Sequence, residues 1–435
     1  MSFKTLLVQS LIWRGLYFVT VLLLNLVLSR FLEAALYGVI FYLSTIFALV
    51  VLVGSLSLDS GIGFYAANNK VPLQKLTVVA LCWSVVAALA VYGGALYLFN
   101  GETYNGLSQQ QLVLYSLCYV CGLMLCNFFT ALFYAKKDFI IPNAVMIAWN
   151  IFLIVLTFGY KVKTSDNIKT VLHLYFLFLL AQGISLLIAW LIKTREYKLA
   201  IPTWQEASPV FRYSMLALAA NVVFFLVYRI DYWFVHNSPV CTESDLGNYI
   251  QASKHGQMLL IVPQVLASAV FPETAGGINR QEVSHAIMRM ARLFMQLYIL
   301  LGIVVVFGGQ SIFTWLFGES YNNMHIPFLL LLPGIFSLSV LALMSSYFAG
   351  KGKVMVNVKG ALLALLFVAI ADWIFIPVYG IVAAAVISSV GYTLNLGYSL
   401  LQFYRDYSIN IAAFFRWQAS DYSWIKDVIK RSEKR

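Results

Sequence analysis

Seven ionisable side chains fall inside or at the edge of apolar stretches of the chain: Arg14, Asp59, Arg229, Asp231, Lys254, His255 and Asp372. A charge within a bilayer costs a few kcal/mol on insertion scales, so each is a candidate for a ligand pathway or an ion-coupling site. Read as helices, these stretches put Arg14 about 12 Å in from one face at 1.5 Å per residue. Arg229, Asp231, Lys254 and Asp372 gather towards the other face. Arginine offers a planar fork of donors and lysine a point charge, so cations at both depths suit a phosphate or pyrophosphate that moves between leaflets. Arg14, Arg229 and Lys254 are therefore the candidate substrate-binding residues. Asp231, His255 and Asp372 are candidates for coupling a proton or sodium ion, or for a structural charge network.

Structural readings stand beside each of these. Two cations and two carboxylates at one depth can simply neutralise one another, and a lone histidine is more often a packing residue than a ligand. Arg14 has no acid at its depth in the neighbouring stretches, so it faces a wet cavity or snorkels to the interface. Asp59 lies in Ser57-Leu58-Asp59-Ser60-Gly61-Ile62-Gly63, where a helix ending in glycines suffices. Cys118-x-x-Cys121 has no second pair or histidine cluster with it, and buried cysteine commonly behaves as a small hydrophobe. No phosphate-binding G-x-x-x-x-G-K-[ST] occurs, so no ATP hydrolysis by that route is expected. No cofactor or metal is expected either, and the five cysteines sit almost wholly in apolar runs that do not suggest a disulfide framework.

What must position these residues follows from composition. Of 435 residues 61% are hydrophobic and 11% charged, and the mean hydropathy is +0.82. Soluble domains carry roughly 25% charged residues, and disorder needs low hydrophobicity, so both classes are excluded. A span takes about 20 apolar residues, and the runs predict twelve helices at about 6–28, 36–58, 76–99, 110–135, 139–160, 170–192, 210–236, 246–270, 287–308, 326–349, 354–376 and 380–402. The first run reads as a span, not a signal peptide. Most of the 29 lysines and arginines fall on one side of this arrangement, which places both termini in the cytoplasm; the net charge of +11 thus records topology and does not imply nucleic acid.

A repeat organises the spans. Phe133-Tyr134-Ala135-Lys136-Lys137 ends the fourth run and Tyr347-Phe348-Ala349-Gly350-Lys351 the tenth, with Ala135/Ala349, Lys137/Lys351 and Asn143/Asn357 in register. The expected architecture is therefore all-α and integral to the membrane, N-in/C-in, in two pseudo-symmetric six-helix lobes. The lobes cover 1–195 and 210–402, joined by a cytoplasmic linker over 196–209. A basic-aromatic cytoplasmic tail over 403–435 is expected on the membrane surface, with its rings at the headgroup boundary. Parallel six-helix lobes are what alternating access requires.

Leu36-Tyr37-Gly38, Ser55-Leu56-Ser57-Leu58-Asp59-Ser60-Gly61, Tyr228-Arg229-Ile230-Asp231 and Ile376-Pro377-Val378-Tyr379-Gly380-Ile381-Val382-Ala383-Ala384-Ala385 resemble the polysaccharide flippases. These belong to the multidrug/oligosaccharidyl-lipid/polysaccharide exporter superfamily. The resemblance implies a MATE-like fold and translocation of an undecaprenyl-pyrophosphate-linked oligosaccharide from the inner to the outer leaflet of a bacterial inner membrane, feeding surface polysaccharide assembly. Its implied partners are the lipid-linked oligosaccharide, membrane lipids and the polysaccharide polymerase machinery. Basic cavity residues would hold the pyrophosphate, a part that Arg14, Arg229 and Lys254 could play. The related lipid II flippases typically carry two further helices. The alternatives are a cation-coupled multidrug exporter, against which the cationic bias counts, and a membrane polysaccharide polymerase or ligase, which would need a larger outer loop. The expectation is a transporter and not an enzyme.

Overall fold

The computed structural model describes residues 3–101, 106–160, 164–195, 199–275, 280–407, 411–416, 418 and 421. The chain is helical: α1 Phe3–Gly54, α2 Leu58–Ala67, α3 Leu73–Leu98, α4 Gln109–Ala135, α5 Ile140–Gly159, α6 Ser165–Lys193, α7 Trp204–His236, α8 Glu243–Met258, α9 Ile261–Ala275, α10 Arg280–Phe317, α11 His325–Gly350 and α12 Val354–Tyr407. Among the described residues nine helices are long and apolar enough to cross a membrane.

Two of the nine are long enough for two crossings. α1 has 52 residues and α12 has 54, about 80 Å each at 1.5 Å per residue against ~30 Å of hydrocarbon. One non-helical residue breaks each: Glu33 (φ 62°, ψ 170°) and Gly380 (φ 58°, ψ −141°). The buried Tyr37 hydroxyl donates to Asn25 Oδ1 across the first break. Beside the second, Ser238 Oγ donates to the Ile376 carbonyl at 3.2 Å. The expected eighth span is interrupted between α8 and α9, because Pro263 has no N–H for the Leu259 carbonyl. A count of twelve segments therefore takes α8 and α9 as one interrupted crossing.

The expected second span is too long at its C-terminal end. α1 stops at Gly54, Leu56 and Ser57 turn left-handed (φ 52° and 51°), and Asp59 sits in the first turn of α2, where the helix dipole favours a carboxylate. Gly61 and Gly63 lie inside α2 and do not end a helix. Gly61 instead allows close approach to α7, since a Cβ there would lie 2.8 Å from the Val210 carbonyl oxygen.

The described chain divides into two compact units, Met1–Phe225 and Leu226–Arg435, with the boundary inside α7. The first unit has an apolar core that includes Phe128, Phe129, Phe133 and Trp190. Several of its buried polar groups find one another: Asn150 donates to Thr20 Oγ1 (3.1 Å) and accepts from Gln182 (2.9 Å), and the Trp190 indole N–H reaches Thr77 Oγ1 (2.9 Å). Lys75 pairs with Glu206 at 2.6 Å, tying the start of α7 to this unit.

In the second unit part of the tail packs on the protein. Phe403 and Phe414 are buried with ring centroids 5.7 Å apart. Asp421 is buried and accepts from Arg292 Nε (2.7 Å) and Nη2 (2.6 Å), while Arg289 donates to its main-chain oxygen. Phe414 and Asp421 thus dock on the second unit, where Asp421 meets the basic patch of Arg289 and Arg292 on α10. The more basic stretch beyond lies outside the described residues. The α4 and α11 repeat segments end in the same hydrogen-bonded cap: Asp138 N to Phe133 O (3.0 Å) with Lys137 N to Tyr134 O (2.9 Å), and Lys353 N to Phe348 O (2.8 Å) with Gly352 N to Ala349 O (3.0 Å). The caps pair Lys137 with Gly352, one residue out of the register that pairs Lys137 with Lys351.

Both features give measurable outcomes. Lys137 holds φ 58° where its counterpart is glycine at φ 71°, so Lys137→Gly is expected to stabilise the detergent-solubilised protein by about 1 kcal/mol, the usual cost of a left-handed L-residue. Removing one partner of a buried ion pair costs about 3–5 kcal/mol, so Arg292→Ala and Asp421→Ala should each open the tail to limited proteolysis. The guanidinium of Arg292 holds the Asp421 carboxyl below its ordinary 3.8. A depressed carboxyl contributes its stability above the ordinary value and loses it as pH falls through the lower, folded-state value. Tail protection should accordingly be flat from neutral down to mildly acid pH and fail only in strong acid.

Candidate functional site

In the second unit α7, α8 and both halves of α12 bring four of the sequence-predicted residues together. Asp231, on α7, is 1% exposed. Its carboxylate accepts from the Tyr249 hydroxyl of α8, from Ser388 Oγ of α12 at 3.0 Å and from the Tyr232 backbone N–H at 2.9 Å. Asp372, from the first half of α12, is fully buried and within electrostatic reach of Asp231. Among the described residues neither of its carboxylate oxygens has a hydrogen-bond partner. One carboxylate is thus fully solvated by protein and the other is not, so Asp372 is the one placed to take up a proton or a cation.

Two basic residues stand beside these carboxylates. Arg229 is half-buried, donates to the Tyr232 hydroxyl and lies 5.1 Å from the centroid of that ring. Among the described residues it forms no ion pair with Asp231. Lys254, half-buried on α8, lies within electrostatic reach of Arg229, and Arg229 within reach of Asp231, so basic and acidic groups share one protein interior. Arg229 could hold an anionic ligand by a fork and Lys254 by a point contact.

His255 goes elsewhere. Its Nδ1 lies 3.0 Å from the Gln251 carbonyl and its ring meets Phe317 edge-on at 4.7 Å. In the first unit Arg14 is exposed and lies over the Tyr134 ring at 4.5 Å and the Phe139 ring at 5.8 Å, a stacking suited to a guanidinium at an interface. The five cysteines are unpaired, and no cluster of metal-ligating side chains occurs among the described residues.

A shell of hydroxyl groups around Asp231 escaped the sequence reading. Tyr232 and Tyr249 are fully buried and meet edge-on at 5.8 Å, and Tyr228 packs on Tyr392 at 5.6 Å. Tyr228 was visible as part of Tyr228-Arg229-Ile230-Asp231. Ser388 and Tyr249 carried no signal, since hydroxyl residues in apolar helices are common and only folding brings them to Asp231.

No family model matches the chain, and no curated protein matches its sequence. Solved structures do. A lipid II flippase, MurJ, in an inward closed conformation superposes with a TM-score of 0.69 at 13% identity, covering 94% of this chain and 89% of that one. A MOP superfamily transporter from Pyrococcus furiosus gives 0.61 at 14% identity, covering 94% and 95%. A Vibrio cholerae MATE transporter in the bent form gives 0.60 at 14%, covering 95% and 99%.

Asp231 and Asp372 should respond differently to substitution. Tyr249→Phe and Ser388→Ala each strip a donor from a buried carboxylate and are expected to cost about 1–3 kcal/mol in thermal unfolding. Asp372→Asn removes a buried carboxylate with no donors and should leave the unfolding temperature unchanged or raise it. The chain is a multi-pass membrane protein with the fold of the MOP superfamily transporters, MurJ and the MATE proteins among them.

Proposed function

We propose that the protein is a flippase that moves a polyprenyl-pyrophosphate-linked oligosaccharide from the inner to the outer leaflet of a bacterial cytoplasmic membrane, by alternating access, for surface polysaccharide assembly. The observation that carries this reading is the pair of half-buried cations, Arg229 and Lys254, held within reach of each other on adjacent helices. The fork of donors on Arg229 and the point contact of Lys254 suit the charge and the acceptor oxygens of a pyrophosphate. Arg14, exposed over Tyr134 in the first unit, serves as a first contact for the same anion. The MurJ likeness is compatible with a lipid-linked substrate, and a fold shared with transporters leaves the polymerase or ligase reading without support.

Energy comes from an ion gradient in this proposal. Asp231 and Asp372 form the coupling pair: Asp231 is held by three donors, and Asp372 takes up the proton or sodium ion. His255 is a packing residue against Phe317. A second reading, a cation-coupled drug exporter, is favoured by the same two carboxylates, which could bind an organic cation directly.

Liposomes containing the purified protein separate the two. Wild type should translocate a fluorescent polyprenyl-pyrophosphate glycan, and Arg229→Ala and Lys254→Ala should each slow it about tenfold or more, the effect of losing one charge-assisted contact of about 1.5–3 kcal/mol. Asp372→Asn should abolish its response to imposed proton or sodium gradients. Transport of an organic cation, with no movement of the glycolipid and loss on Asp231→Asn, would establish the exporter instead.

A further inference from the structure

One face of α8 carries polar groups that the chain itself does not satisfy. Ser244, Asn248, Gln251 and His255 recur at spacings of four, three and four, which at 3.6 residues per turn puts them in one stripe about 60° wide. The stripe faces the end of α10 and the Glu319–Tyr321 turn that follows it. Asn248 Nδ2 donates to the Ser320 carbonyl at 3.0 Å, and the His255 ring meets Phe317 edge-on at 4.7 Å. Asn248 and Gln251 are fully buried, as are Phe317 and Tyr321 across from them, with ring centroids 5.8 Å apart.

Four atoms of this stripe have no hydrogen-bond partner among the described residues: Asn248 Oδ1, Gln251 Oε1, Gln251 Nε2 and His255 Nε2. His255 Nδ1 lies 3.0 Å from the Gln251 carbonyl. A carbonyl only accepts, so the ring hydrogen sits on Nδ1 and Nε2 is a bare acceptor. The open set is then three acceptors and one amide donor group, with no charge among them. A phosphate or carboxylate finds too few donors here, and a metal ion finds one imidazole and no anionic ligand. Water, which both donates and accepts and needs two to four polar partners, fits.

Spacing selects the same occupant. At 1.5 Å per residue Gln251 stands about 4.5 Å along the helix from Asn248 and about 6 Å from His255. One water joins groups up to about 5.6 Å apart through two hydrogen bonds of about 2.8 Å, and the length of the glutamine side chain covers the remainder. We propose that the stripe holds a short file of ordered water, entered at the Ser320 turn and ending about 10 Å along α8 at His255, with Gln251 as its central anchor. His255 keeps its packing contact through the ring, and water completes its second nitrogen. Tyr249, on the Asp231 side of α8, lies about 130° away round the helix. The file therefore brings water into the second unit by a route separate from the carboxylates, whatever the protein carries.

Water-edited solid-state NMR on the full-length protein in liposomes, isotope-labelled at the histidine and tryptophan nitrogens, provides the test. The His255 signal is assigned by its loss in His255→Phe. The expected result is magnetisation transfer from water to His255 Nε2 approaching that of the exposed His285, while the Trp190 indole, buried on Thr77, receives none. Gln251→Leu should abolish the transfer to His255 and lower the unfolding temperature. Gln251→Asn, which keeps an amide, should retain part of the transfer, and Gln251→Met repeats the apolar change in case the leucine variant does not fold. A dry stripe behaves oppositely. It gives no transfer to His255 in the wild type and a higher unfolding temperature in Gln251→Leu, because that change removes two unmet polar ends. Either result overturns the proposal. So does transfer that survives both apolar variants, or transfer that requires sodium or potassium, which would make the occupant an ion.

Discussion

A polar group in hydrocarbon has no water to turn to, so every one that the chain carries into the membrane must be satisfied by the chain itself or by something it binds. The arrangement around Asp231 is an instance. Its carboxylate collects donors from three places far apart in sequence, the Tyr232 backbone, Tyr249 and Ser388, and that requirement fixes how α7, α8 and α12 pack. The same constraint acts in the first unit, where Asn150 bridges Thr20 and Gln182 and thereby sets α5 against α1 and α6. Against this background, groups left without partners, such as both oxygens of Asp372, stand out as places where a ligand or a proton has work to do.

Breaks in the helices follow the same logic. Glu33, Gly380 and Pro263 interrupt long apolar helices, and Pro333 removes one more backbone donor inside α11. Side chains stand at several of these interruptions: Ser238 on the Ile376 carbonyl, Ser389 between Leu330 and Gly334, and Tyr37 on Asn25 across the first break. Small residues do the complementary job of close approach. Gly122 on α4 and Gly183 on α6 face each other so tightly that a Cβ on Gly183 would lie 2.9 Å from that of Leu125, the packing expected where no water-driven force joins the helices.

The tail shows how the water-facing end differs. There a charge can be neutralised by another charge at moderate cost, and Asp421 is buried between Arg289 and Arg292. The Phe403, Phe414 and Phe415 rings anchor it. Lys351 and Lys353 share Asp406 in the same region, so this end of the second unit is knitted by ion pairs and the interior by hydroxyl groups.

What the sequence by itself determined is what depends on local composition and period. Apolar runs with few charges specify membrane helices, the Lys136 and Lys351 segments mark matching helix ends, and rare intramembrane charges single out Arg229, Asp231, Lys254 and Asp372. Their gathering was legible because each lies at a similar depth along its own helix, a matter of rise per residue. Which side chain touches which was not legible, because a helix's rotation and its neighbours are set by packing and by long-range hydrogen bonds. Only the tertiary structure decided that Asp231 takes its donors from Tyr249 and Ser388, that Asp372 takes none among the described residues, that His255 turns to Phe317, and that Phe414 and Asp421 pack into the second unit.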